Sequence, residues 1–236
     1  MMTSQSRKSS YLSTLFFPMY LFVFVFGAPG LAHAAAVKTA VNEDIRAFFK
    51  GKHKAVLTFV GYSGAGYENE ASLRKRAEVI LSEFDPAKTI VNIGATPEGI
   101  GAIYEIAKRK GFLTTGIVSS QAEQYNVKLS PYVDQVFYVE DPSWGGFAAG
   151  TKELSPTSKA IIENSDIVIG IGGGEVARDE LIVAKRLGKK ISFIPADMNH
   201  QQARDSARKK KLPDPSDFRG AAHAVFGKER EGFPAQ

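Results

Sequence analysis

The stretch Ser165–Glu180, SDIVIGIGGGEVARDE, decides the fold predicted for this chain. An apolar run leads into Gly172, Gly173 and Gly174, and a helical pattern follows them. This order is typical of a buried parallel strand, a tight turn and the start of a helix. Because glycine adopts positive φ and has no Cβ, a ligand can approach such a turn closely, and the helix start offers unpaired N–H groups. We therefore expect a ligand-binding turn here.

Strand and helix patterns alternate along the rest of the chain. Apolar runs predict strands at 55–61, 89–94, 113–119, 135–140, 167–171 and 191–195. Helices are predicted at 42–50, 70–84, 99–110, 157–164 and 176–187. Such alternation is typical of βαβ units and of a parallel sheet covered on both faces. The predicted fold is a doubly wound, Rossmann-like α/β domain with about six mostly parallel strands and helices on both faces.

The two ends of the chain differ from this core, which is predicted to span residues 55–196. Residues 197–236 are polar and basic, and we expect a solvated helix and an irregular tail. At the other end, Arg7 and Lys8 precede an apolar run at 15–26, and Ala32-His33-Ala34 fits a signal-peptidase cleavage pattern.

Residues 1–34 are therefore predicted to be a signal peptide. Cleavage would leave a single domain of residues 35–236, periplasmic or secreted, with no stable membrane anchor. The alternative is an uncleaved anchor, although the apolar run is short for a span of roughly 20 residues.

Composition limits the kinds of partner. The chain has no cysteine, so disulfides and thiolate chemistry are excluded. The formal net charge is +5, of which Arg7 and Lys8 contribute two, and the remaining charge does not indicate nucleic-acid binding. The basic run at 208–211 is expected to be a solvated face. The histidines have no metal-ligand spacing, so no metal site is predicted.

Glycine-rich turns follow three of the predicted strands, at 61–66, 94–101 and 170–174. Because the carboxyl ends of parallel strands meet at one edge of a sheet, we expect the three turns to converge on one crevice. The candidate ligand-binding residues in these turns are Gly61, Ser63, Gly64, Gly94, Thr96, Gly99, Gly172, Gly173 and Gly174. The alternative is that these glycines serve only close packing of helices on strands.

In the order of its turns the chain resembles the LONELY GUY and lysine-decarboxylase-like Rossmann superfamily, also grouped as SLOG domains. The resemblance lies in Val60–Gly64 (VGYSG), Ile93–Ala102 (IGATPEGIGA) and Ser165–Glu180, within residues 55–196. It implies a Rossmann-like fold with a nucleotide-type crevice and, in the phosphoribohydrolase members, cleavage of an N-glycosidic bond.

The chain departs from that family at three places. The family's Pro-Gly-Gly is a triple glycine here, and its Gly-Thr pair falls on Val176-Ala177. Its Arg-Lys pair falls in the region Pro156–Lys159 (PTSK), which has no arginine. The acid that ends the motif is kept as Glu180. The resemblance therefore implies the crevice more strongly than the reaction.

Charged and aromatic side chains near the turns complete the predicted site. Glu98, Glu175, Asp179 and Glu180 lie near helix starts, where acids are stabilising by roughly 0.3–1 kcal/mol each. Such carboxylates also accept hydrogen bonds from ribose hydroxyls or act as a general acid or base.

Glu180 is accordingly the candidate catalytic residue, and Glu175 a candidate ligand-binding residue. Arg178 would offset the repulsion of an anion if it points inward, and a solvent-facing arginine is the alternative. The loop at 141–150 holds Trp144, whose ring could stack on a base or sugar, or cover the sheet edge.

The sequence thus predicts an exported domain that binds a nucleotide or a related phosphorylated or glycosylated small molecule. No cofactor and no nucleic-acid partner are predicted, and a homodimer is left open. One alternative is an N-glycosidic-bond hydrolase or transferase that uses Glu180. The other is a non-catalytic structural or partner-binding protein.

Overall fold

The computed structural model describes residues 35–228. The predicted signal peptide lies outside these residues, as does the end of the chain from 229 to 236. No helix within 35–228 is long and apolar enough to cross a membrane.

One parallel sheet of seven strands lies at the centre of residues 35–228. The strands are β1 (Ala36–Thr39), β2 (Ala55–Gly61), β3 (Thr89–Ile93), β4 (Leu113–Ser119), β5 (Gln135–Val139), β6 (Ile167–Ile171) and β7 (Lys190–Ile194). Their spatial order is β1-β5-β4-β3-β2-β6-β7. Strands β2 to β7 agree with the predicted strands to within one residue, whereas β1 was not predicted. The predicted α/β class is confirmed.

Helices cover both faces of the sheet. They are α1 (Asn42–Lys52), α2 (Glu70–Ser82), α3 (Ala102–Arg109), α4 (Ser120–Gln124), α5 (Pro156–Glu163), α6 (Glu175–Arg186), α7 (His200–Lys209) and α8 (Gly220–Phe226). A 3₁₀ turn at Gly99–Gly101 precedes α3. Helices α2, α3 and α4 pack on one face, and α1, α5, α6 and α8 on the other. The core is therefore divided between two layers, one on each side of the sheet.

The path of the chain places a switch point beside β2. The chain runs from β2 outward through β3 and β4 to β5, and then returns to β6 on the other side of β2. The connections that leave β2 and β6 thus diverge at the carboxyl edge of the sheet, which is where open α/β sheets bind ligands. All strand pairs are parallel, so the three glycine-rich turns lie at this same edge.

A row of buried polar side chains crosses the middle of the sheet. The hydroxyls of Thr58 and Ser165 lie 2.6 Å apart, and Asn92 Nδ2 donates to Thr58 Oγ1 at 3.3 Å. Thr115 Oγ1 donates to Asn92 Oδ1 at 3.0 Å. Since an unpaired polar group here would be costly, this connected row favours one register of β2, β3 and β4.

The C-terminal extension contributes to the core. Ala222 and Phe226 are 0% and 1% exposed and pack in the same layer as Leu181 of α6. The predicted core ended at residue 196, because the apolar stretch 221–226 is short and lies in a polar, proline-containing region. The expected solvated helix corresponds to α7, which buries no residue.

Candidate ligand-binding site

A cavity of about 530 Å³ opens at the carboxyl ends of β2, β3 and β4. Its walls come from the turns after β2 and β3, from the first turns of α5 and α6, and from the loop after α4. Ile93, Ile117, Val118 and Ile161 contribute apolar surface. A concave and largely apolar site of this size is typical of small-molecule binding.

Some of the sequence-predicted residues meet at this cavity. Those that line it are Gly61, Ser63, Gly64, Gly94, Thr96, Trp144 and Glu180. The turns after β2 and β3 therefore converge, together with the candidate acid and the tryptophan. That these residues bind a ligand stays a prediction.

The other sequence-predicted residues are not part of the cavity wall; they are Gly99, Gly172, Gly173, Gly174, Glu175 and Arg178. A Cβ added to Gly172 would come within 2.5 Å of the Tyr62 ring, and one added to Gly173 within 2.5 Å of the Ala177 methyl. Close packing, which the sequence left open as the alternative, thus explains these two glycines. Both have positive φ, at 54° and 126°, which L side chains rarely adopt.

Glu175 and Arg178 lie on the outer side of the first turn of α6. The Glu175 side chain is 82% exposed. Arg178 Nη2 lies 2.8 Å from Asp179 Oδ1, and its Nη1 lies 3.9 Å from Glu175 Oε1. The arginine is therefore engaged by two carboxylates of its own helix rather than by the cavity.

Tyr62 covers the triple-glycine turn, a role that the sequence analysis did not assign to it. Its hydroxyl donates a shared hydrogen bond to the carbonyl oxygens of Ala196, at 3.2 Å, and Phe218, at 3.4 Å. Ala222 N donates to Gly173 O at 3.1 Å. Burial raises the pKa of Tyr62 to about 12, so its hydroxyl keeps its proton. The turn after β6 is thus closed by the chain itself.

Glu180 is a buried acid in the cavity wall and is 4% exposed. Ser158 Oγ donates to its Oε1 at 2.6 Å, whereas Oε2 has no hydrogen-bond partner within residues 35–228. Burial raises the pKa of Glu180 to about 7; the Ser158 hydrogen bond opposes this rise and the neighbouring Asp179 charge adds to it. Near neutral pH the carboxyl is therefore present in both protonation states, as general acid–base chemistry requires.

Hydrogen bonds connect the loop between β5 and α5 to two consecutive acids of α6, directly to Asp179 and through Ser158 to Glu180. Gly146 N donates to Ser158 Oγ at 2.8 Å, and Ser158 in turn donates to Glu180. Phe147 N donates to Asp179 Oδ2 at 2.9 Å. These bonds fix the part of the loop that follows Trp144.

Two exposed aromatic rings stack at the rim of the cavity. Trp144 is 55% exposed and Tyr125 is 63% exposed, and their ring centroids lie 5.9 Å apart with an interplanar angle of 29°. We call Tyr125 and Trp144 the rim aromatics. Large rings left in water beside a cavity offer a flat face for a ring of the ligand.

Sequence reasoning missed further polar residues of the wall, among them Thr157, Ser158 and Lys128. Asp141 Oδ2 accepts a 2.8 Å hydrogen bond from Thr157 N and so holds the start of α5 beside the cavity. The Thr157 hydroxyl is buried and has no hydrogen-bond partner within the described part of the chain. The signal was present in Pro156, which is typical of a helix start, but nothing in the sequence showed that α5 and α6 meet.

Comparison with known proteins gave matches only among solved structures. No protein-family model and no curated protein sequence matches the chain. Similar structures include the molybdenum cofactor carrier protein of Chlamydomonas reinhardtii, 16% identical, over 74% of this chain and 96% of that one, with a TM-score of 0.44.

Two other solved structures are similar at the same level. The molybdenum cofactor binding protein of Rippkaea orientalis is 17% identical over 67% of this chain and 85% of its own, with a TM-score of 0.44. DNA processing protein A of Streptococcus pneumoniae is 13% identical over 77% of this chain and 63% of its own, also at 0.44.

Proposed function

We propose that this protein binds a nucleotide or a related phosphorylated or glycosylated small molecule in the cavity above β2, β3 and β4. The observation that carries the proposal is the meeting of Trp144, Glu180 and two glycine-rich turns around one cavity of about 530 Å³. A ligand of this class has a flat ring, hydroxyl groups and a size suited to such a pocket.

The chemistry of the wall fits this class. The rim aromatics provide a stacking face, and base–aromatic stacking contributes about 1–3 kcal/mol per base. The free oxygen of Glu180 accepts a hydrogen bond from a ligand hydroxyl or ring N–H when it is ionised and donates one when it is protonated. Apolar residues such as Ile117 and Ile161 exclude water from the deeper part of the cavity.

A thermal-shift screen of the full chain tests the proposal. The compounds are nucleosides, nucleoside monophosphates, sugar phosphates and glycosides of small heterocycles. A compound that binds only the native state raises the melting temperature, and the rise grows with the logarithm of its concentration relative to its dissociation constant. We expect at least one nucleoside-like compound to do so, and a flat response to the whole set would contradict the proposal.

Trp144→Ala refines this screen. We expect the affinity of the best compound to fall about tenfold, because one stacking contact is lost. Tyr132→Ala is the control, since Tyr132 is also an exposed aromatic residue, at 43%, and does not line the cavity. Equal losses in both variants would show that the rim is not where the compound binds.

A second candidate function is hydrolysis or transfer at an N-glycosidic bond, and the position of Glu180 favours it. A buried carboxyl with a pKa of about 7, beside a cavity, has the properties of a general acid or base. If the protein releases a free base from a nucleoside or nucleotide, Glu180→Gln should lower turnover by a factor on the order of 10²–10⁴ with little loss of binding. If the unmutated protein binds the nucleoside or nucleotide without cleaving it, the hydrolase function is contradicted and the binding function stands.

Export is part of the proposal and is tested separately. We expect protein expressed in a Gram-negative host to begin at or within two residues of Ala35, as measured by mass spectrometry of the intact mature chain. A membrane-embedded product that keeps residues 1–34 would contradict it.

A further inference from the structure

We infer that the ligand of this cavity is an uncharged nucleoside or a similar glycosylated heterocycle, and that the site makes no specific contact with a phosphate. This inference rests on the proposed function and narrows its ligand class. Four observations on residues around the carboxyl edge of the sheet support it.

The turn after β6 is packed against the chain itself at Gly172 and Gly173. Gly172 N already donates to Ile194 O at 2.8 Å, and the Tyr62 ring lies against the Gly172 backbone. On the other side, the carbonyl oxygen of Gly173 accepts the N–H of Ala222. Tyr62, β7 and the start of α8 thus occupy the space beside Gly172 and Gly173 that a phosphate would need there.

The helix start that follows β3 is closed in a similar way. Ile100 N donates to Tyr62 O at 2.7 Å, so the amide at the start of this helix is already bonded. A Cβ added to Gly99 would collide with the carbonyl oxygens of Tyr62 and Ser63. The positive φ of Gly99, 59°, therefore serves the contact between two turns of the chain itself.

The first turn of α6 is a further place where a fold of this kind holds anions. Glu175 begins that helix, and the nearby guanidinium of Arg178 is engaged by Glu175 and Asp179. Gly146 lies close above Val176, since a Cβ added to Gly146 would be 3.4 Å from Val176 Cα. The helix start is thus surrounded by carboxylates and partly covered by the loop that carries Trp144.

The charges of the cavity wall point in the same direction. Of the lining residues between 35 and 228, Lys128 is the one with a positive charge, whereas Glu98 and Glu180 are acids. A phosphate monoester carries a charge of about −1.5 to −2 at pH 7 and needs cations or free amides to replace its hydration. One exposed lysine facing two carboxyls does not provide them. A neutral ligand meets no such penalty.

Matched pairs of compounds test the inference on the full chain. Isothermal titration calorimetry would compare adenosine, guanosine, cytidine and uridine with their 5′-monophosphates, and ribose 5-phosphate would serve as a phosphate without a base. For the nucleoside that binds best, we expect its monophosphate to bind no more than threefold tighter, and ribose 5-phosphate not to bind. We also expect the nucleoside affinity to be insensitive to added salt, because no ion pair forms.

The outcomes separate this inference from the proposed function. A monophosphate that binds more than threefold tighter than its nucleoside, or ribose 5-phosphate that binds by itself, overturns the inference and leaves the proposed function in place. Absence of binding by all nucleosides and monophosphates overturns the inference, and the proposed function falls with it if the thermal-shift set also gives a flat response. Nucleoside binding that the phosphate leaves unchanged or weakens supports both.

Discussion

The hydroxyl of Ser158 donates a 2.6 Å hydrogen bond to Glu180 Oε1 and so joins the start of α5 to α6 behind the cavity. The same hydroxyl accepts the N–H of Gly146. One buried serine therefore connects the acid of the site with the loop that carries Trp144. The titrating carboxyl and the Trp144 loop thus belong to one chain of buried hydrogen bonds.

The stability of the protein should depend on pH through Glu180. In the unfolded chain its pKa is near 4.5, and in the folded chain it is about 7. The folded state thus holds the proton more tightly, so the free energy of unfolding contributed by this group falls as the pH rises from about 4.5 to about 7. This difference corresponds to roughly 3 kcal/mol, at about 1.4 kcal/mol per pH unit.

Chemical denaturation of wild type and Glu180→Gln between pH 5 and pH 8 measures this effect. The glutamine does not titrate, so the variant should gain stability relative to wild type as the pH rises. If the free energies of unfolding of the two proteins change in parallel across this pH range, the pKa of Glu180 is not raised in the folded state.

Ser158→Ala should lower the free energy of unfolding by about 1–3 kcal/mol, because the Gly146 N–H and the Glu180 carboxyl both lose a partner in a buried place. It should also raise the Glu180 pKa further, since the lost hydrogen bond opposes that rise. Urea unfolding at pH 6 and pH 8 reports both changes. Ser130→Ala is the control, because Ser130 is equally buried and its hydroxyl accepts a single long hydrogen bond, 3.4 Å, from Tyr132 N. If both substitutions lower the free energy of unfolding equally, Ser158 does not stabilise the fold through its bonds to Gly146 and Glu180.

Gly173→Ala should destabilise the fold by several kcal/mol. The added methyl would meet the Ala177 methyl, and the φ of 126° is one that alanine rarely adopts. Gly64→Ala is the matched control in the turn after β2, since no atom lies within 4 Å of its Cβ position. We expect that variant to be neutral or slightly stabilised, by about 0.4–1 kcal/mol. Unfolding midpoints in guanidinium measure the stability of both variants. A Gly173→Ala variant as stable as wild type would contradict the packing role of Gly173.

Phe226→Ala should cost about 3–5 kcal/mol, which is usual for removing a buried phenylalanine. Phe226 is 1% exposed and packs in the core layer that contains α6. The adjacent Val225 is 45% exposed, so Val225→Ala should change stability by less than about 0.5 kcal/mol. Thermal unfolding of the two variants tests whether α8 belongs to the core. Similar melting temperatures of the two variants would show that Phe226 does not belong to the core.

The sequence predicted the central strands well because β2, β4 and β6 are buried over most of their length and are rich in apolar and β-branched residues. It did not predict β1, since Ala36–Thr39 is a short edge strand whose residues are all exposed. It also missed α8, whose buried side chains are only Ala222 and Phe226. Edge strands and short helices depend on tertiary contacts, which no local pattern records.

The site was predicted in part for a similar reason. Glycine-rich turns and an acid near a helix start are local signals, and Ser63, Gly94 and Glu180 do line the cavity. Whether a given glycine faces a ligand or the chain itself depends on what packs over it. Gly172 is covered by Tyr62, which lies far away in the sequence. Likewise, the role of Ser158 follows from α5 lying beside α6, which spacing cannot show.

The measurement that tests the central claim most directly is a titration of the full chain followed by the fluorescence of Trp144, the single tryptophan of the sequence. The titrants are the four nucleosides and their monophosphates. Because Trp144 lines the cavity, we expect a saturable change in its emission with at least one nucleoside. If the chain remains folded and its emission stays unchanged for every titrant up to about 1 mM, the proposed binding is contradicted. A dissociation constant of about 1 mM corresponds to a binding free energy of only about −4 kcal/mol.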